Sequence, residues 1–182
     1  MTETFLFIRS ERVRYPWWKR LGRFFHRMAG LLRSQFSNDP LDRCRWMRLP
    51  STLRNTSDNP KDRLARAGEE EASLFLEEIG YTILHRNVRF PEGELDIVAR
   101  QGPMLVFVEV KTRQGDRFGK PDVAVGSNKQ HRQVATASRF LTLCRLQAVP
   151  VRFDIVSILW PKGKPPEIEH LSNAFQPRDL CR

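Results

Sequence analysis

The sequence predicts an α/β fold: a small mixed sheet flanked by two helices, in the order helix–strand–strand–strand–helix–strand. Two stretches, Arg63 to Ile79 and Ser127 to about Leu146, carry apolar residues at helical spacing. Between and after them lie short runs rich in Val, Ile, Phe and Tyr, bounded by Gly and Pro. With 182 residues and 40% hydrophobic content, the chain has material for one globular domain plus an appendage.

The appendage comes first. Residues 1–61 hold 13 Lys/Arg against 5 Asp/Glu, whereas residues 62–182 hold 18 against 16, so most of the net charge of +10 lies in the N-terminal third. Trp17 to Phe36 forms an apolar helical stripe interleaved with Lys19, Arg20, Arg23, Arg27 and Arg33, a basic amphipathic helix. Five readings of it stand side by side: a membrane-surface helix, a nucleic-acid arm, a helix docked on the domain, a segment with little order, or a presequence. Ser51 to Pro60 is polar and turn-rich, the composition of a linker, which divides the chain into residues 1–60 and 61–182. No run of 18 apolar residues exists, so no transmembrane segment is expected. Cys44, Cys144 and Cys181 are odd in number and lack ligand spacing, which favours a reduced, cytoplasmic protein over a disulfide scaffold.

In the first domain helix Ala65, Ala72, Phe75, Leu76 and Ile79 make one stripe, and Gly80 is the stop signal. Glu69 falls at the edge of that stripe, either as an ordinary rim residue or as a reach toward a site, while Glu70 and Glu71 point outward. Tyr81 to Phe90 reads as a strand, Glu94 to Lys111 as a hairpin, and Gln114 to Gly126 as a loop. Ser127 with Gln130 makes a capping-box start for the second helix, whose inner stripe is Val134, Ala137, Ser138, Leu141 and Cys144. Val151 to Trp160 is a strong strand and Glu167 to Leu171 a weak final one. Arg152 and Asp154 share a strand face and are expected to pair.

The hairpin carries the chemistry. Its strands read Leu, Ile, Val and Phe, yet Asp96 sits in one, with Glu109 and Lys111 in the other. Burying such groups costs several kcal/mol unless they meet each other or a cation. With a two-residue loop at Gly102-Pro103, pairing partners sum to 205, and Asp96 falls opposite Glu109 on the face that also carries Lys111. Gly102 supplies the positive φ that a type II′ turn needs at its first loop position. Two close carboxylates raise one pKa unless a cation intervenes, and a hard ion with oxygen ligands, most simply Mg2+ with Mn2+ as a substitute, resolves the conflict. Lys111 would then orient or deprotonate an attacking water. A solvated Glu109–Lys111 surface pair is the plainer account of Glu-x-Lys alone. Lys129 and His131 open the second helix, where a phosphate would meet the helix dipole, and surface solvation explains them equally well. Arg113, Arg117 and Lys120 come after the hairpin and would either track a phosphate backbone or simply face solvent.

The run GELDIVARQGPMLVFVEVKTR resembles the signature of the YraN-like uncharacterised proteins. So do Gly68-Glu69 with Ala72 and Phe75-Leu76, Tyr81 with Arg86-Asn87, Lys129, Arg152-Phe153-Asp154 and Asn173-Ala174-Phe175. The resemblance covers roughly residues 62 to 176, in order and with compatible spacing. That family is similar to the restriction-endonuclease-like superfamily, which includes archaeal Holliday junction resolvases and tRNA-endonuclease-like domains. The resemblance implies a restriction-endonuclease-like core in residues 61–182. Asp96, Glu109 and Lys111 then fall in the nuclease positions, and Glu69 in that of the helical acid. Glu94-Leu95 stands where many nucleases have a proline before the aspartate. The activity implied by the resemblance is that of a metal-dependent nuclease acting on DNA rather than RNA, on branched or recombination structures, which a homodimer would suit. The alternative is a nucleic-acid-binding module that keeps the fold without cutting.

Overall fold

A computed structural model of the chain describes residues 12–15, 40–45, 59–115, 126–146 and 148–176. The elements are β1 (Arg12–Tyr15), α1 (Pro40–Arg45), α2 (Pro60–Glu78), β2 (Thr82–Phe90), β3 (Gly93–Gln101), β4 (Met104–Gln114), α3 (Ser127–Leu143), β5 (Val151–Trp160) and β6 (Glu167–Phe175). The strands form one six-stranded sheet in the order β1-β6-β5-β4-β3-β2. β4 and β5 are parallel and every other neighbouring pair is antiparallel, so the sheet is mixed as expected. The parallel pair requires a crossover, and α3 lies within it.

The two sheet faces are covered by different helices. Ala72, Phe75 and Leu76 of α2 pack with Ile97, Val106, Val108 and Val156 on one face. Ala137 and Phe140 of α3 pack with Val98, Leu105, Phe107 and Phe153 on the other, joined by Leu41 and Cys44 of α1. Each face is apolar because alternate residues of the central strands point to it, which explains why β4 and β5 read as nearly continuous hydrophobic runs.

Helix ends obey local chemistry. Asn59 caps α2, its side-chain oxygen accepting the Asp62 N–H at 2.8 Å, and Pro60 occupies the first turn. That cap starts the helix three residues before the expected Arg63. Gly80, at φ +91°, ends it as expected. The capping box expected at Ser127 does not form: Gly126 is the cap residue, its carbonyl accepting the N–H groups of Lys129 and Gln130. The buried stripe of α3 is Gln133, Thr136, Ala137 and Phe140, turned from the expected one. Ser138 is exposed and donates to the Val134 carbonyl at 2.9 Å.

The hairpin register is the expected one, running from Ile97↔Val108 to Gln101↔Met104, with Gly102 at φ +57°. β6 runs four residues past the expected end, to Phe175. Sequence patterning does not anticipate β1, which pairs with β6, or α1, which packs near β2. The amphipathic helix at residues 17–36, the linker at 51–58, Arg117, Lys120 and Cys181 lie outside the described residues. Among the described residues no helix is long and apolar enough to cross a membrane.

Candidate active site

The site forms where two paired strands part. Beyond Ile97↔Val108 the β3–β4 ladder stops, and β4 continues against β5 as far as Gln114. At the parting, the Val110 N–H is taken by Asp96 Oδ2 at 2.8 Å, so a side chain replaces a strand carbonyl. β3 also changes face there. Leu95 packs on the α3 side and Ile97 on the α2 side, although residues two apart in a regular strand share a face. The neighbouring strand yields at the same level: Asn87, between the pairs Arg86↔Ile97 and Val88↔Leu95, has φ +53°, a conformation that Asn tolerates better than most residues. Asp96 therefore stands at the switch and comes within the field of Glu109 on β4 and Glu69 on α2.

Glu69 arrives from α2. It is buried, and α2 approaches β4 closely because Gly68 has no side chain: a Cβ there would lie 1.8 Å from Thr112 Oγ1. Glu109 arrives from β4 and is also buried. Lys129 Nζ donates to its Oε1, and Gln133 Nε2 donates to its Oε2 at 2.6 Å. Lys129 and Gln133 are four apart on α3 and share one helix face. The Asp96 carboxyl is pushed up to about 8, chiefly by burial and then by the charges of Glu109 and Glu69, against the pull of the Val110 N–H and Lys129.

The structure thus brings Glu69, Asp96, Glu109 and Lys129 into mutual influence. Lys111 is half-buried, two residues beyond Glu109 on β4. Arg113 is exposed near the end of that strand. His131 is exposed, and its Nδ1 donates to the Ser127 carbonyl of its own helix at 2.8 Å, so its described contact is not with the acids. Glu94 is neutralised by Arg89, whose Nη2 reaches both carboxylate oxygens at 3.0 Å. Gln133 escapes the sequence reading. Its signal is the spacing Gln133, Thr136, Ala137, Phe140, which places a polar amide on the buried stripe.

Among the described residues no three His, Cys, Asp or Glu side chains converge as a ready-made metal cage. The donor chemistry nevertheless fits Mg2+, which is usually bound through one or two protein carboxylates and keeps several waters. Asp96 and Glu109 are hard oxygen donors, and Glu69 is near enough for its charge to act on Asp96.

A second polar cluster centres on β5, where Asp154 pairs with Val108, the residue next to Glu109 on β4. Asp154, fully buried on β5, accepts from Arg152 Nε at 2.8 Å and Nη2 at 2.9 Å, and from the Asn173 N–H at 2.8 Å. Tyr81 Oη donates to it at 3.2 Å, and His170 Nε2 lies 3.0 Å away. Arg152 also donates to Gln101 at the hairpin tip. Burial would raise the Asp154 carboxyl, but His170, Arg152 and the Asn173 N–H outweigh it and hold it below the usual range. The expected Arg152–Asp154 pair is present, as one link of a larger staple.

The model of the uncharacterised protein family UPF0102 matches residues 68–158, a span that begins beside Glu69 and contains Asp96, Glu109, Lys111, Lys129 and Asp154. A UPF0102 protein of Geotalea daltonii is 42% identical over 123 residues, covering 68% of this chain and 97% of the relative. One from Frankia alni is 48% identical over 115 residues, covering 63% and 96% respectively. Another, from Symbiobacterium thermophilum, is 48% identical over 96 residues, covering 53% and 81%. The chain therefore belongs to the UPF0102 (YraN) family, which is of restriction-endonuclease-like type.

Proposed function

We propose that this protein is a Mg2+-dependent nuclease that cuts phosphodiester bonds in DNA, with branched or recombination intermediates as its substrates. The observation that carries the reading is the nearness of Asp96 and Glu109 where the strands part: Asp96 accepts the N–H of Val110, next to Glu109, and burial followed by the Glu109 charge raises its carboxyl to about 8. Asp96 and Glu109 would hold the ion, with Glu69 as a further donor. When bound, such an ion supplies Lewis acidity at a phosphate oxygen and acidifies a water. Lys111, beside Glu109, would orient the attacking water in line with the leaving oxygen and offset charge building on the phosphate. Arg113, exposed beyond it, would hold the nucleic-acid backbone, and Lys129 and His131 would present donors at the start of α3. A cytoplasmic location is part of the proposal and rests on the odd number of cysteines without ligand spacing.

A second reading is a nucleic-acid-binding module that retains the fold without cutting. It draws support from Lys129, which already supplies a cation to Glu109. Cleavage of linear, flapped and four-way DNA, and of matching RNA, across a Mg2+ and Mn2+ titration separates the two. The nuclease reading expects metal-dependent cleavage that Asp96→Ala and Lys111→Ala abolish. Salt-sensitive binding without any cleavage would favour the module. A homodimer would suit a branched substrate, and sedimentation with and without four-way DNA tests for one.

A further inference from the structure

Both oxygens of Glu109 are engaged by α3, one by the Lys129 ammonium and the other by the Gln133 amide. The Lys129 side chain is 56% exposed while its partner is only 5% exposed. The apolar stem thus runs along the surface and delivers its charge to a buried carboxylate, the reverse of the usual snorkelling lysine. Gln133 adds a second sign. It is 7% exposed, and its Oε1 is buried without a hydrogen-bond partner among the described residues. A buried carbonyl oxygen of this kind calls for a donor that arrives in another state of the site, such as a water.

We propose that Lys129 is a resident counter-ion at Glu109, which a divalent cation displaces on binding while Gln133 keeps the carboxylate in position. This rests on the metal-site reading and adds a competition to it. The ion exchanges a divalent charge for an ammonium at the same carboxylate, so Lys129 weakens metal binding. The released ammonium, on its exposed stem, is then available to a phosphate. Metal and nucleic acid are thereby coupled through one side chain: each favours the state in which Lys129 has left Glu109.

The test is a calorimetric Mn2+ titration of the full chain, without nucleic acid and without turnover, on wild type, Lys129→Met, Lys129→Arg and Asp96→Asn. Removing the competing ammonium should tighten Mn2+ binding about fivefold or more in Lys129→Met. Lys129→Arg should stay near wild type, because a guanidinium still places a cation at Glu109. Asp96→Asn should weaken binding. If Lys129→Met binds Mn2+ as wild type does, or more weakly, the counter-ion role is wrong although the metal site stands. If wild type and every variant fail to take up Mn2+, the metal-site reading itself falls and takes this inference with it. A merely structural role for Lys129 would not raise metal affinity when the lysine is removed.

Discussion

Asp96 and Asp154 are aspartates placed in apolar strands of one sheet, and their surroundings treat them in opposite ways. Asp154 is met by Arg152, Tyr81, His170 and the Asn173 N–H, and its carboxyl lies below the usual range. Asp96 receives the Val110 N–H, faces Glu109 and Glu69, and is pushed up to about 8. The lesson is that burial of an acid does not by itself mark a functional site. A satisfied buried carboxylate is a staple, here joining β5, β6, the hairpin tip and the segment just after α2. A buried carboxylate crowded by other acids is poised for a cation that the fold alone does not fully supply.

The contrast can be broken most sharply at the staple. Asp154→Ala should cost about 3–5 kcal/mol in urea unfolding, since it strands Arg152 and removes the shared acceptor of Tyr81 and His170. A loss below about 1 kcal/mol would mean that the network contributes little to stability. Next in size is Gly68→Ala, expected to destabilise by about 1–3 kcal/mol because the new methyl collides with Thr112 Oγ1. Adding Thr112→Ala to that variant removes Oγ1 but leaves the Thr112 Cβ 2.8 Å away, so it should recover part of the loss, and a purely additive pair would refute the contact.

Asp96 should behave in the opposite sense. Its folded pKa of about 8 lies above the ordinary 3.8, so its contribution to stability is fully present below that ordinary value and is lost as pH rises toward 8. Asp154 is depressed, so its contribution is present above the ordinary carboxylate value and is lost as pH falls into the acid range. In metal-free protein, Asp96→Asn should therefore stabilise by about 1 kcal/mol at alkaline pH, with the gain shrinking toward acid, as read from paired urea titrations. A constant difference across pH would show that Asp96 does not titrate in this window. The smallest effects belong to Arg113→Ala and His131→Ala. Both residues are exposed, and each should shift stability by less than about 0.5 kcal/mol, so any change in nucleic-acid affinity can be assigned to contact.

The hairpin is legible in the sequence because strand chemistry has a fixed period: with Gly102-Pro103 as the loop, the expected register holds from Gln101↔Met104 to Ile97↔Val108, and the ladder stops one residue short of Asp96 and Glu109. Val151 to Trp160 is legible for the same reason, as an uninterrupted β-rich run. Helical spacing leaves Glu69 open between a rim residue and one that reaches the site. Its burial depends on how closely α2 approaches β4, a distance set by the tertiary match of Gly68 to Thr112. The start of α3 misleads because Ser127 and Gln130 have capping-box spacing, yet the chain enters the helix at Gly126. That shift travels with a different inner stripe, and it hides Gln133. β1 is hidden for another reason. Four residues reading Arg-Val-Arg-Tyr make a strand only because the edge of β6 is there to pair with.

The most direct test of a cation-seeking cluster is the change in Tm that Mg2+ produces in wild type and Asp96→Asn, measured from about pH 6 to about pH 9. The account predicts that Mg2+ raises the wild-type Tm, increasingly so as pH rises and the ion no longer competes with the proton on Asp96, and that Asp96→Asn removes most of the effect. A Mg2+ shift that is absent in wild type, or equal in the two proteins at every pH, would contradict it.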